Sequence, residues 1–528
     1  MLRQTHDYDW VIVGSGFGGS VAALRLAERG YRVLVLEKGR RFEADDFPRT
    51  NWDLKHWLWR PELGLEGFFQ MSFFQHVTAL HGVGVGGGSL VYANTLPTPE
   101  REFFVTGSWR DLANWQQELA PHYDTARRML GVAQNPRLGR GDQVIQALAR
   151  QLGRERHFRP TDVGVYFGEP DQLVADPYFG GIGPDRVGCT FCGGCMTGCR
   201  VGAKNTLDRN YLYLAERLGV RVEAEREVHA IRPLERGGYR IEGRYSLGSG
   251  RGFHVSASRV VLAGGVLGTV PLLLRLREDR HGLPGISDQV GVHVRTNNEA
   301  LVGVVSPDTR EDFSKGIAIT SILRTDEHSH LEPVRYAAGS GFFRLLRVPY
   351  ASGSNRWVRI ARALGVVLRN PSNWLGLPPI DDFARQTQIL LYMRTLEDTL
   401  SLQLGRSAWT GFQRGVVTRV ADHRVAPRAF LPEAGELLQR FATEVNGIPS
   451  ALVSELVHGA PTTAHILGGC AMADGPGRGV IDRDHRVFGY DGLYVIDGSA
   501  VSANPGVNPS LTIAALAERA MSRIPRTK

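Results

Sequence analysis

Four of the chain's five cysteines fall within eleven residues, at Cys189, Cys192, Cys195 and Cys199. Their spacing, C-x2-C-x2-C-x3-C, is that of the iron–sulfur run of bacterial ferredoxins, with Arg200 where those proteins carry proline. Thiolates this close together can wrap one cluster, whereas tetrahedral zinc usually takes two pairs separated by a dozen or more residues, a loop this run lacks. The chain has no second run to use the fourth cysteine. The spacing therefore fits a 3Fe-4S cluster on three thiols, or a 4Fe-4S cluster on all four or on three and a distant ligand. Zinc, and thiols with a structural or redox role of their own, are the alternatives. Cys470, between Gly469 and Ala471, reads as a small buried residue.

Glycines carry a second kind of chemistry. In "WVIVGSGFGGSVAALRLAERGYRVLVLEKG", Gly14, Gly16 and Gly19 follow an apolar strand and open a helix, and Glu37 closes the strand that comes next. Such glycines allow a tight turn, close approach of backbone amides to a pyrophosphate and close helix packing, while the carboxylate takes ribose hydroxyls. An acid rather than an arginine at that point argues against a ribose 2′-phosphate. FAD and NAD both fit, and an ordinary glycine-rich turn is the bland alternative.

The elements that must position these groups alternate. The first strand, the helix with Val21, Leu24 and Ala27 on one face, the Gly30 stop and the second strand form a βαβ unit. "HGVGVGGGSLVYAN" is a glycine loop entering an apolar segment. "TLDRNYLYLAERLGVRVEAEREVHAI" reads as helix, Gly219 stop and strand, "RVVLAGGVLGTVPLLLRL" as strand, turn and helix, and the chain closes on a helix after Pro509. Strands alternating with helices predict a largely parallel sheet. Residues 300–458 carry apolar segments of strand length, consistent with a second sheet.

The segments "HILGGCAM" and "GLYVIDGSAVSANPGVNPSLTIAALAER", together with "GVGVGGGSL" and the N-terminal glycines, make the chain resemble the glucose-methanol-choline family of flavoprotein oxidoreductases, in particular its cholesterol oxidase branch. The resemblance spans both ends and the middle glycine segments. It implies FAD, with His465 and Asn508 facing the flavin and Asp497 and Gly498 beside the ribityl chain. It adds Gly86, Gly87, Ser89 and Val228 to the cofactor-binding set, and marks His81 as a residue through which some members attach FAD covalently; a packing histidine is the alternative. The chemistry agrees. Oxidising an alcohol by hydride transfer requires its hydroxyl proton to be accepted or polarised, which an imidazole titrating near neutral pH can do. An asparagine amide can donate to the developing alkoxide. The helix after Pro509 would turn its positive end toward the reduced ring. The cysteine run departs from flavin-only cholesterol oxidases; other branches of the family combine FAD with a cluster and pass electrons to a partner protein.

With 42% hydrophobic and 22% charged residues the composition is globular, and no apolar run of about 18 residues is present to span a bilayer. The net charge of +8, from 62 basic against 54 acidic residues, suits an anionic partner or membrane surface but is too evenly spread for nucleic acid. The first strand begins within ten residues of Met1, leaving no room for a leader, and this reading places the protein in the cytoplasm, where clustered thiols favour metal or redox work over disulfides. In "SNRWVRIARALGVVLRNPSNWLGL", Trp357, Ile360 and Leu364 share one helical face, with Arg356, Arg359 and Arg362 on another. Such a helix fits a peripheral membrane contact, a cap on a lipophilic site or an ordinary surface helix. With the aromatics from Trp52 to Phe74 it is compatible with a sterol-like alcohol. Glu397 and Asp398 are candidate second carboxylates for steroid double-bond isomerisation but match no transferable motif.

The expected architecture is α/β: a Rossmann-like FAD-binding domain (1–120, 200–298 and 459–528) interleaved with a substrate domain on a mixed or antiparallel sheet (121–199 and 299–458), the cysteine loop 187–204 lying at the junction. The expected activity is oxidation of a hydrophobic alcohol by hydride transfer to flavin, with electrons leaving through the cluster. The alternatives are a reductase of an unsaturated hydrophobic substrate, an oxygen-using oxidase and a redox sensor without catalysis.

Overall fold

The computed structural model describes residues 6–248, 250–353, 355–371, 374, 382–422 and 426–527. Part of the arginine-rich stretch singled out above therefore lies outside the described residues.

The glycine unit folds as β1 (Tyr8–Val13), α1 (Phe17–Ala27) and β2 (Val33–Leu36). There follow β3 (Phe69–Phe73), β4 (Thr78–Gly82), α2 (Arg140–Gln151), β5 (Phe158–Pro160) and α3 (Tyr211–Arg217). The middle contributes β6 (Arg221–Glu223), β7 (Arg226–Pro233), β8 (Tyr239–Tyr245), β9 (Gly252–Leu262) and α4 (Val266–Glu278). Next come β10 (Ala300–Val305), β11 (Ser321–Arg324), β12 (Ser329–Val334), β13 (Arg347–Pro349), α5 (Arg356–Arg369) and β14 (Thr387–Arg394). The last elements are α6 (Pro432–Glu444), β15 (Ile448–Leu452), β16 (Thr462–Thr463), β17 (Leu493–Val495) and α7 (Ser510–Ser522).

One sheet runs β6-β2-β1-β9-β8-β7, with β17 paired to the end of β9. Strands β6, β2, β1, β9 and β17 are parallel, and β8 and β7 extend the sheet antiparallel. Helix α1 is apolar nearly all round and buried from Phe17 to Leu24 because it lies between this sheet and α7. The second sheet, β13-β15-β10-β14-β12-β11-β5, is antiparallel throughout. Its strands alternate in the manner of a sheet with two different faces. Val304, Leu390 and Tyr392 pack with α2 and α6, through Ile145, Leu148, Leu438 and Phe441. Gly303, Ile389 and Leu391 turn the other way, into a cavity. A small sheet, β16-β4-β3, packs on the second through β16 and β10.

Two expectations need correction. Most of the aromatics between Trp52 and Phe74 do not gather on a substrate site: Trp57 and Phe68 build a core of their own with Phe42, Phe47 and Phe342, while Trp52 and Phe73 are exposed. Of this group Phe69 reaches the cavity wall. The face expected to join Trp357, Ile360 and Leu364 is split. Ile360 turns inward with Ala363 onto Ala351 and Leu456, whereas Trp357 and Leu364 point to solvent. A three-residue step falls short of a full helical turn, so Ile360 is rotated off the line of Trp357, enough to cross from one side of a thin contact to the other.

Candidate active site

A cavity of about 610 Å³ runs from the carboxyl ends of β1 and β2 to the inner face of the second sheet. At the first end Gly14, Gly16, Glu37 and Val228 line it. Gly14 has φ +103, and a side chain there would meet the Ala263 carbonyl oxygen at 2.3 Å. Helix α1 begins without a side-chain cap, so its first amides are available to an anion. The Glu37 carboxylate is aimed by three donors, Ser15 N at 3.1 Å, Ser15 Oγ at 2.8 Å and Gly39 N at 2.9 Å. Farther along, Gly87, Asp497 and Gly498 line the wall. Asp497 accepts from Gly265 N at 2.9 Å, Ser499 N at 2.8 Å and Thr269 Oγ1 at 2.5 Å. An uncapped helix start, an aimed carboxylate and a glycine-lined wall are what a dinucleotide needs. Gly19, Gly86 and Ser89 lie behind this wall: a side chain on Gly19 would strike Gly14 O at 2.1 Å, and Ser89 Oγ ties the loop by donating to Gly86 O at 2.7 Å. His81 lines the cavity from β4 with Nε2 3.0 Å from Ser72 Oγ. Burial, then the charge of Lys38, pushes its pKa down to about 3, so the ring is neutral.

At the other end His465 and Asn508 share the wall. His465 follows β16, which pairs in parallel with β4. Its Nδ1 lies 2.7 Å from Glu299 Oε2, and the other carboxylate oxygen accepts the Ala464 amide at 2.6 Å. A carboxylate only accepts, which assigns the proton to Nδ1 and leaves Nε2 for a substrate. Burial by itself would lower the imidazole pKa, but the charges of Glu299 and Glu332 outweigh it and the pKa is raised. Asn508 precedes α7, which also starts without a side-chain cap; its Nδ2 is 3.4 Å from Glu332 Oε2. Glu299 and Glu332 are fully buried, and Glu455 nearby is pushed up to about 8 by burial. Sequence reading missed all three. The one trace is a buried polar run, Thr296 to Glu299, leading into an apolar strand. Glu397, by contrast, is spent on structure: Oε2 pairs with Arg295 Nε at 2.7 Å and Oε1 accepts Asn504 N at 2.7 Å. Cys470 is fully buried, as expected, and burial raises its thiol pKa.

Cys189, Cys192, Cys195 and Cys199 are all free and line one small pocket with Val165, Ala203 and Lys204. Lys204 Nζ donates to Cys195 O at 2.7 Å and Leu90 O at 3.0 Å and sits 4.7 Å over the Tyr92 ring. Tyr92, beneath that ammonium, and Met196, next to Cys195, line the large cavity, so the two spaces are neighbours although no described residue lines both. Among the described residues, however, no group of three or more His, Cys, Asp or Glu side chains is drawn together to hold a metal ion. The donors suit an iron–sulfur cluster in kind; their spacing in this structure does not. Also among the described residues, no helix is long and apolar enough to cross a membrane.

Comparison with known proteins bears on this geometry. The GMC oxidoreductase family model matches residues 401–517, and an NAD(P)-binding Rossmann-like domain matches residues 12–81. The chain is 42% identical to a cholesterol oxidase of Acinetobacter baumannii, over 99% of this chain and 96% of that protein. It is 42% identical to a cholesterol oxidase of Mycobacterium tuberculosis, over 98% of this chain and 91% of the relative. The solved pyridoxine 4-oxidase from Mesorbium loti shares the fold, with a TM-score of 0.62 at 15% identity over 98% of both chains. The chain belongs to the glucose-methanol-choline oxidoreductase family, and is an FAD-dependent enzyme of that family close to its cholesterol oxidases.

Proposed function

We propose that the protein oxidises the hydroxyl group of a sterol or a similarly bulky apolar alcohol. The observation that carries this reading is the His465–Glu299 pair on the wall of a cavity to which Leu301, Ile319, Val334, Ile389 and Leu391 give a broad hydrocarbon surface, beside a few polar residues such as Tyr336, Thr387 and Arg347. FAD, when bound, supplies the acceptor for the hydride. Gly14, Gly16, Gly87, Glu37, Val228, Asp497 and Gly498 would hold it. Nε2 of His465 takes the hydroxyl proton, and Glu299 answers the positive charge that this places on the ring. Asn508 orients the substrate oxygen through its amide, and the uncapped start of α7 adds positive potential at the same point. The apolar wall excludes water and accepts a fused-ring skeleton. Relatives named as cholesterol oxidases support the substrate class. The two sheets support a flavin-binding unit (1–120, 200–298 and 459–528) interleaved with a substrate unit (121–199 and 299–458).

Anaerobic mixing with cholesterol tests the reading: the flavin absorbance is expected to bleach, and faster than with short-chain alcohols. No bleaching by any apolar alcohol overturns it. A finer part of the proposal concerns the acceptor. The names of the relatives support oxygen; four free thiols on a pocket beside the cavity are donors of the right kind for an iron–sulfur cluster and a carrier protein, while their spacing speaks against one. Turnover with and without oxygen, beside iron and sulfide analysis, separates these. Flavin colour that stays with the denatured chain would mark His81 as a covalent link, and colour released from it removes that role.

A further inference from the structure

Helix α5 is the element that the catalytic reading leaves without work. Its inward stripe, Ile360 and Ala363, packs on Ala351, Val348 and Leu456. It carries a second apolar stripe about a quarter turn round the helix from the first. Trp357, Leu364 and Leu368 are 66%, 57% and 79% exposed and, with exposed Ala361 between them, fall at spacings of four, three and four residues, one line along the helix. The helix sequence, RWVRIARALGVVLR, contains four arginines and no acid. The partners of those arginines among the described residues are carbonyls and rings. Arg359 donates to Gly353 O at 3.4 Å and stacks 4.9 Å over Phe430, Arg362 donates to Ser352 O at 2.9 Å, and Arg356 lies over Trp357 at 4.7 Å. None of these contacts, all among the described residues, cancels their charge.

The position of the helix adds to this. Strand β13, against which α5 packs, contributes Arg347 to the wall of the large cavity, and the turn before it contributes Phe343. Between those two wall residues stands Leu345, 67% exposed. The Arg347 guanidinium stacks 4.3 Å over Trp374, a short way past the end of α5. The apolar, basic surface is therefore continuous in the chain with one side of the cavity.

We propose that the outward stripe of α5 seats the enzyme on an anionic lipid surface, with Trp357, Leu364 and Leu368 in the acyl boundary and the arginines at the phosphates. An exposed apolar line flanked only by positive charge is the pattern of an interfacial helix. The same charge disfavours a second copy of this chain, which would bring four arginines against four others. The contact stands independently of the enzyme's substrate; its use, admission of a membrane-dissolved alcohol beside Phe343 and Arg347, rests on the function proposed above.

The test uses the full chain with FAD bound and sedimentation with vesicles, of phosphatidylcholine alone or with about one-third phosphatidylglycerol. Wild type is expected to sediment with the anionic vesicles, and less so as salt rises. Leu364→Ser with Leu368→Ser is expected to cut that binding by about tenfold or more, with thermal stability and turnover of detergent-dispersed alcohol unchanged. Arg362→Gln with Arg369→Gln is expected to remove the preference for anionic vesicles. A wild type that stays in solution at low salt, or a serine variant that sediments as wild type does, overturns the proposal. So does a wild-type dimer that the serine variant dissolves, which would assign the stripe to self-association. Vesicle binding without oxidation of any alcohol would defeat the proposed function and leave the lipid contact standing.

Discussion

The chain itself fixes the backbone of His465 and one face of its ring, although Glu332 Oε1, Asn508 Oδ1 and Glu455 Oε1 are buried beside it without a hydrogen-bond partner among the described residues. Nδ1 meets Glu299, the backbone amide of His465 is held by Thr463 Oγ1 at 2.9 Å, and the residues before and after are fixed by pairing with β4 and with Arg295. Beyond Tyr92 and Met196 the cysteines sit on a loop whose one regular turn is Cys195–Thr197. Burial lifts the thiols of Cys189 and Cys195 to about 12 and about 11, so both are protonated at neutral pH. Lys204, the cation beside them, spends its hydrogen bonds on two carbonyls. Sheet pairing thus assembles the imidazole site before any substrate arrives, whereas the thiols share one pocket without being drawn into a ligand set. Rigid elements can hold a reacting group in register, whereas ligands on a loop are brought to register by the ion they bind, which also displaces their protons.

The largest effect that could break this contrast is at the histidine. His465→Ala is expected to slow anaerobic flavin reduction by alcohol by about 10²–10⁴-fold, the usual worth of a general base, while FAD stays bound because the glycine end is untouched. An unchanged rate would mean that the finished site is not the reacting one. On the thiol side, metal and sulfide analysis of the wild type decides: iron and sulfide that Cys195→Ser and Cys199→Ser lose, with the flavin content unchanged by absorbance, would make these thiols cluster ligands against the spacing seen here. Iron-free wild type that still turns over at full rate would make the thiols structural.

What could be read without coordinates follows the same division. Gly14, Gly16 and Glu37 declare themselves because a tight turn, a helix start and a strand end are neighbours in sequence, and the four cysteines reach one pocket because they are neighbours too. Glu299 and Glu332 could not be found that way. Each lies far before His465 in the chain: the registers of β10, β14 and β12 bring Glu299 and Glu332 to one part of the sheet, and β16, packed beside β10 with Thr463 Oγ1 donating to Thr296 O, brings His465 to them. Glu397, close to a plausible spot in sequence, is instead claimed by Arg295. On α5 the spacing gave an apolar face but not which way it turned, since two stripes compete and only packing chooses the buried one.

Glu455 sharpens the account of the imidazole side, because a finished site still carries an electrostatic cost. Its folded pKa of about 8 lies above the ordinary 4.5, so the folded chain holds a proton there that the unfolded chain releases. Stability must therefore fall as pH rises from about 4.5 toward 8 and level off beyond. Glu455→Gln removes that slope. The gain in melting temperature over wild type is expected to be near zero at about pH 4.5 and to grow to an equivalent on the order of 3 kcal/mol by neutral pH, read by thermal denaturation of the FAD-bound protein across pH. A gain that does not change with pH would mean that Glu455 is already ionised in the fold.

The smallest effect lies in a pH profile. Glu299 holds the His465 pKa above its ordinary value against the opposing pull of burial, and Glu332 supplies part of the same push. A base must be neutral to accept the hydroxyl proton, so the acid limb of the flavin-reduction rate follows this pKa. In Glu299→Gln the amide can still accept from Nδ1–H through its carbonyl oxygen, and the tautomer is kept, but the negative charge is gone. The acid limb should therefore move to lower pH while the maximal rate falls, since the imidazolium formed during the reaction loses its counter-charge. Glu332 remains, so the displacement is smaller than complete loss of carboxylates would give. A limb that moves to higher pH, or does not move, would mean that the paired imidazole is not the group whose proton is being counted.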